Sequence, residues 1–164
     1  MSALNICEWL EGTQIGILVR ESLWGFQILV AIHLLGLAVS AGTLVWWDLR
    51  LLGVSMLRCR VTEVYRRLMP WTLSGFVSMF ITGSLLFTGF ATKAYGNLSF
   101  RIKVTALLLA GVNALIYHLV TERDIARWDH AARPPLPARV AGLMSILLWA
   151  VVVMAGRMMS YTMF

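Results

Sequence analysis

The sequence predicts an all-α integral membrane four-helix bundle, with both termini on the outer, periplasmic side and a short interfacial helix ahead of the first span. Three observations predict it. Of 164 residues, 59% are hydrophobic and the mean hydropathy is +0.77, well above soluble domains. Four long segments contain no Asp, Glu, Lys or Arg, and the Lys and Arg residues fall unevenly between those segments.

Only a helix satisfies its own backbone in lipid without closing into a barrel, and a bilayer core takes roughly 20 residues of it. The first charge-free segment is Leu23 to Trp47, 25 residues, and the second is Pro70 to Thr92. The third, Val104 to Thr121, has 18 residues between Lys103 and Glu122. The fourth, Val140 to Gly156, has 17 between Arg139 and Arg157. Lys and Arg at span ends snorkel to the interface, so the spans are set at 23–47, 70–92, 101–121 and 139–161, in one transmembrane domain covering 1–164. None shows the polar face of a soluble bundle helix.

Ahead of the first span, residues 3–19 read as one helix lying on the outer surface. Leu4, Cys7, Leu10, Ile15 and Leu18 share its apolar side, interrupted by Gly12 and Gly16. Glu8, Glu11, Arg20 and Glu21 argue against a cleaved signal. Asp48 to Met69 either extends span one or forms a separate inner helix. Pro134, Pro135 and Pro137 mark a loop, after which Arg139 restarts a helix.

Charge sets the orientation. The first and third links hold nine Lys or Arg residues, among them Arg50, Arg58, Arg60, Arg66, Arg67, Arg123 and Arg127. The opposite side holds five: Arg20, Lys93, Arg101, Lys103 and Arg157. The positive-inside rule places the two basic links in the cytoplasm, which makes this a multi-pass protein of the bacterial inner membrane. The net charge of +6 then follows from topology and contact with membrane lipids; no nucleic acid is implied. Trp24, Trp46, Trp47, Trp71, Tyr95, Phe100, Tyr161 and Phe164 suit interface belts. Small residues recur at packing spacing: Gly36 with Ser40, Ala38 with Gly42, and Ser74, Ser78 and Thr82 beside Gly75 and Gly83. They fit a compact bundle, a homo-oligomer or a subunit of a larger membrane complex. A water-lined Ser/Thr path for copper or a small solute is a further alternative.

Two histidines lie within spans, His33 in the first and His118 in the third. Such residues face the bundle interior by default. Together they suggest axial ligation of a b-type haem and an electron-transfer function. Their depths, about 18 Å from Glu21 and about 25 Å from Arg101, differ by about 7 Å. Either histidine is also a metal candidate, copper above all if methionines join. Interhelical hydrogen bonding, with no cofactor and only a structural role, is the alternative. Arg157 and Lys103, with Arg20 and Arg101, suggest an outer basic cluster for haem carboxylates; a salt bridge from Arg157 to Glu21 is the simpler reading. Cys7 and Cys59 fall on opposite sides, so no disulfide is expected. His130 reads as solvated, and Asp48 with Arg50 as a charged helix end. Nucleotide loops, hydrolase elbows and zinc-protease signatures are absent, and the sequence leaves open whether the protein is an enzyme.

The chain resembles a family of uncharacterised bacterial four-span membrane proteins, and more distantly the membrane domain of copper-resistance D proteins. The resemblance rests on Arg20-Glu21-Ser22, His33-Leu34-Leu35-Gly36, Trp47-Asp48-Leu49-Arg50, Pro70-Trp71, Gly83, Arg101 to Lys103, Asn113, His118 and Gly156-Arg157. It implies the four-span topology over nearly the whole chain. The copper-resistance likeness implies copper handling, yet this chain lacks an exposed His/Met cluster outside the membrane.

Overall fold

A computed structural model describes residues 3–163, side chains included except that of Met163; Phe164, counted above among the interface aromatics, lies outside them. Four helices are long and apolar enough to cross a membrane: Leu23–Leu52, Val61–Gly89, Leu98–Trp128 and Leu136–Thr162. No strand occurs among the described residues. The lipid-type surface follows from exposed apolar side chains such as Leu35, Phe80 and Leu108.

The segment before the first span is two helices rather than one, α1 (Ala3–Glu11) and α2 (Gln14–Glu21). The break is chemical. Thr13 Oγ1 accepts the Gly16 N–H at 3.2 Å and starts a new helix. Glu11 accepts hydrogen bonds from the Thr92 N–H at 2.8 Å and its hydroxyl at 2.6 Å, which fastens α1 to the first turn of α5 (Ala91–Gly96).

α3 (Leu23–Leu52) is opened by Ser22, which accepts the Gly25 N–H at 3.0 Å. It ends at Gly53, whose φ of 73° is the left-handed stop that glycine adopts without strain. The predicted second span begins at Pro70, but α4 (Val61–Gly89) runs through it. Arg66 and Arg67 are exposed, so their charges do not end the helix. Asp48–Met69 therefore divides between the end of α3, a connection at 53–60, and the start of α4. α6 (Leu98–Ile116) continues into a π turn (Tyr117–Thr121), a short 3-10 turn (Glu122–Asp124) and α7 (Ile125–Trp128). α8 (Leu136–Met163) starts before Arg139; Pro137 stands in its first turn, where a missing N–H costs no intrahelical bond.

The helices pack in the order α4, α3, α8, α6. Large side chains bridge α4 to α6 at two heights: Phe87 stacks on Phe100 at 5.5 Å, and Tyr65 meets the His118 ring edge-on at 6.1 Å. The first pair marks the terminal end, where Asn97 also donates to Thr162 Oγ1 at 2.7 Å. The second marks the arginine-rich end. The α3–α4 seam is the tightest. A Cβ on Gly75 would sit 2.6 Å from the Gly36 carbonyl oxygen, so the two backbones touch. Ser40 is fully buried beside this contact, and Thr43 and Thr72 bridge the seam by a hydroxyl pair at 2.7 Å.

Trp47, Leu51, Val61, Val64, Tyr117, Trp128 and Ala138 form the core of the arginine-rich end. Trp47 is thus a core residue, a correction to its reading as an interface aromatic, whereas its neighbour Trp46 stays half exposed. Arg60 supplies no side-chain cap to α4. Asp129 supplies it from across the chain, accepting the Thr62 N–H at 2.8 Å and the Thr62 hydroxyl at 3.0 Å.

Slight burial raises the Asp129 carboxyl, but the two Thr62 hydrogen bonds and the charges of His130 and Arg60 outweigh it and hold the group below its ordinary value. A depressed carboxyl stabilises the fold above its unfolded value and loses that contribution as pH falls through its folded value. Asp129→Ala is expected to lower stability by about 1 kcal/mol at neutral pH, the scale of a helix cap. The difference from wild type should shrink below about pH 4. Thermal unfolding in detergent from neutral to acid pH checks both; an equal gap at all pH values would refute the capping role.

Candidate functional site

His33 projects from α3 toward α4, with Nδ1 2.9 Å from Thr82 Oγ1. Thr82 has one hydroxyl hydrogen and gives it to the Ser78 carbonyl at 2.7 Å. Its oxygen is then the acceptor for His33, which assigns the proton to Nδ1 from the hydrogen-bond network, with the Met79 carbonyl as a further acceptor for the ring N–H, and leaves the Nε2 lone pair without a side-chain partner among the described residues. Thr82 is buried, so the ring is held by a fixed partner. Gly83 clears the space beside it, since a Cβ there would stand 3.1 Å from His33 Cε1.

Lys103 enters the same layer from α6. Its Nζ lies 3.8 Å from where a Cβ of Gly156 on α8 would be, and it is within electrostatic range of His33. No hydrogen bond or ion pair to its ammonium is present among the described residues. Counting from the Phe87–Phe100 pair, Lys103 sits about 3 Å nearer the terminal end than Thr82. A ring nitrogen with a free lone pair and an unmatched cation thus share one level of the bundle.

The structure does not bring His118 to this layer. Its Nδ1 pairs with Glu122 Oε2, one turn along the chain, and its ring packs edge-on against Tyr65 and Tyr117. Tyr65 and Thr82 are both on α4, about 25 Å apart along its axis. The two histidines lie at opposite ends of the bundle, and the shared haem or metal centre expected for them is corrected on that ground. The sequence comparison of depths understates the gap because it starts the third span at Arg101, whereas α6 begins at Leu98 and carries His118 deeper.

Arg157 is also apart from Lys103, although Gly156 beside it touches that side chain. Successive helical residues diverge by about 100°, and Arg157 turns outward to donate to the Tyr161 hydroxyl at 2.8 Å and to cover the Tyr161 ring at 4.8 Å. Arg101 likewise donates to the Tyr95 carbonyl at 3.2 Å and lies over its ring. Arg101 and Arg157 are thus each engaged with a tyrosine and not with Lys103, and no Arg157–Glu21 bridge forms among the described residues.

No group of three or more His, Cys, Asp or Glu side chains placed to hold a metal ion occurs among the described residues. Met154 and Met158 are exposed apolar surface. In the serine and threonine stripe, Ser74 is exposed and bonds its own Trp71 carbonyl at 2.8 Å, while Thr72 and Thr82 are buried. Sequence reasoning missed the pairing of Thr82 with His33, which no periodicity reveals. It also missed Glu122 as the partner of His118, although their spacing of one helical turn carried that signal.

The chain matches, over residues 6–162, the profile of a family of unknown function, DUF6644, and belongs to that family. No curated protein and no solved structure matches it, so the distant likeness to copper-resistance D proteins gains no support.

Proposed function

We propose that this DUF6644 protein is a small membrane cofactor-binding protein that carries a b-type haem on His33 and serves electron transfer. The observation that carries the reading is the free Nε2 of a histidine whose other nitrogen is already committed to Thr82. Metal-ligating histidines are oriented in this way by a hydrogen bond from the second ring nitrogen. Haem, unlike copper or zinc, needs only an axial protein ligand, so the lack of a three-residue donor group does not weigh against it. When bound, the haem supplies a one-electron couple. Thr82 fixes the imidazole tautomer and ring direction, Gly83 lets the imidazole pack against α4, and Lys103 offers a positive charge to a carboxylate of the macrocycle. Neither His118 nor Arg157 takes part. The bias of basic residues supports a reading in which this layer lies in the outer half of a bacterial inner membrane, with both termini in the periplasm.

The test is the visible spectrum of detergent-purified protein expressed with ample haem. A stoichiometric Soret band is expected, lost in His33→Ala and kept in His118→Ala. Lys103→Gln should retain the band but release haem about tenfold more readily, the scale of one charge pair. A colourless, folded wild type sinks the proposal. A second reading, a non-catalytic subunit whose histidines only pack, draws on the local His118–Glu122 pair. Copurification of a colourless protein with a defined membrane partner would select it.

A further inference from the structure

Buried polar side-chain atoms without a partner concentrate at the arginine-rich end. Among the described residues they are Asp48 Oδ2, Arg50 Nη1 and Tyr117 Oη. Asp48 is 3% exposed, Arg50 0% and Tyr117 5%. Asp48 and Arg50 stand two apart on α3, so their side chains leave the helix on nearly opposite sides. Arg50 turns to the 53–60 connection, where it donates to the Cys59 and Ala131 carbonyls. Asp48 turns to α8. There the Ser145 hydroxyl hydrogen-bonds its carboxyl, and Gly142 lets the helices close, since a Cβ on it would lie 3.0 Å from the Asp48 carbonyl oxygen. Tyr117, on the π turn, comes within electrostatic range of Asp48. Insertions of this kind in a helix re-aim side chains and recur at functional sites.

The groups nearest the Asp48 carboxyl are thus neutral. Ser145 and Gly142 face it from α8 and Tyr117 from the π turn. Tyr65 of α4 and Glu122 lie within electrostatic range of Tyr117; Glu122 is paired with His118, whose ring packs against both tyrosines. An ionised carboxylate in such a place is costly without a positive partner, and Arg50 is committed elsewhere. A direct Asp48–Tyr117 hydrogen bond would satisfy both orphaned oxygens, and it is not made. A species bound at Asp48 within reach of the Tyr117 phenol would satisfy both, and carboxylate, hydroxyl and phenol oxygens are the donors that hard cations take. A single carboxylate balances one positive charge, which disfavours a divalent ion.

We propose that Asp48, with Ser145 and Tyr117 as neutral oxygen partners, takes up a small monovalent cation, a proton held on its own carboxyl or Na+, drawn from the aqueous phase at the arginine-rich end. This site is independent of His33 and of any haem. The test uses the purified full chain in detergent, with thermal unfolding and infrared spectra recorded against pH in sodium-free choline buffer and against NaCl at fixed pH. The proton source predicts a carboxylic C=O band that disappears as pH rises, insensitive to NaCl. The sodium source predicts an unfolding midpoint that rises with NaCl. In either case Asp48→Asn removes the response and Tyr117→Phe shifts it to about tenfold higher cation concentration, the scale of one ligand interaction. A response in Asp48→Asn equal to wild type overturns the proposal. If that variant fails to fold, wild-type spectra that show neither a titrating carboxyl band nor a sodium dependence overturn it as well.

Discussion

Gly75→Val is expected to be the most destabilising single substitution along the α3–α4 seam. A Cβ at this position would stand 2.6 Å from the Gly36 carbonyl oxygen and 2.8 Å from both the backbone nitrogen and the Cβ of Ser40. Two of those three atoms are main chain, so no rotamer change relieves the clash and the helices must move apart. Overpacking of this kind costs about 1–3 kcal/mol and sometimes more. Separation also weakens the Thr43–Thr72 pair at 2.7 Å and the His33–Thr82 bond at 2.9 Å, each worth about 0.6 kcal/mol between membrane helices. The sum, about 3 kcal/mol, corresponds to a midpoint lowered by roughly 10 °C in a chain of this size. Gly42→Val is the control, on the partner helix α3, because a Cβ there meets nothing within 4 Å; its midpoint should stay within a degree or two of wild type, apart from a small β-branched propensity cost. Thermal unfolding of the three proteins decides the matter. A Gly75→Val protein as stable as wild type would show that α3 and α4 do not approach closely.

That seam also shows which parts of the structure the sequence could disclose. The charge-free segments located all four membrane-crossing helices because exclusion of charge from lipid is a strong constraint on composition. The same uniformity hides helix phase, since a residue facing lipid and one facing the bundle are both apolar. Trp46 and Trp47 illustrate the loss, one at the surface and one in the core. Small residues restore part of the phase: the Gly36–Ser40 spacing marks the packed side, yet the similar Ala38–Gly42 pair lies on an exposed one. Helix ends were legible only where charge coincided with them, and α4 begins nearly ten residues before Pro70 because exposed arginines do not stop a helix. The candidate site was half visible. His33 and Lys103 were singled out, but their association depends on relative helix heights, and counting from flanking charges assumed that all spans start level. Asp48 read as a charged helix end because its neighbour Arg50 suggested a pair, whereas the geometry of α3 sends the two side chains apart.

Arg50→Leu should be the second large loss of stability, and it separates a structural arginine from the surface arginines around it. The guanidinium is fully buried and makes three hydrogen bonds: Nε to the Cys59 carbonyl at 3.2 Å, Nη2 to the same oxygen at 3.0 Å, and Nη2 to the Ala131 carbonyl at 3.2 Å. It thereby ties the 53–60 connection to the segment before α8. Two effects oppose each other. Removing a buried charge recovers its desolvation cost, which in some proteins makes an apolar replacement harmless. Here leucine offers nothing to the Cys59 and Ala131 carbonyls, each of which carries a penalty of about 1–3 kcal/mol when buried without a donor. The second effect should win, with a net loss of about 2–4 kcal/mol. Lysine keeps the charge but lacks the planar fork that reaches both oxygens, so Arg50→Lys should recover less than half. Protease cleavage within 53–60 should accelerate in Arg50→Leu, because the connection loses its anchor. Membrane orientation should not change, since an arginine shielded from lipid headgroups contributes little to the positive-inside bias that its exposed neighbours Arg58, Arg60, Arg66 and Arg67 maintain. Unfolding midpoints, cleavage rates and a terminal-tag accessibility assay read the three effects separately. Inverted orientation with unchanged stability would assign Arg50 to topology instead of to the fold.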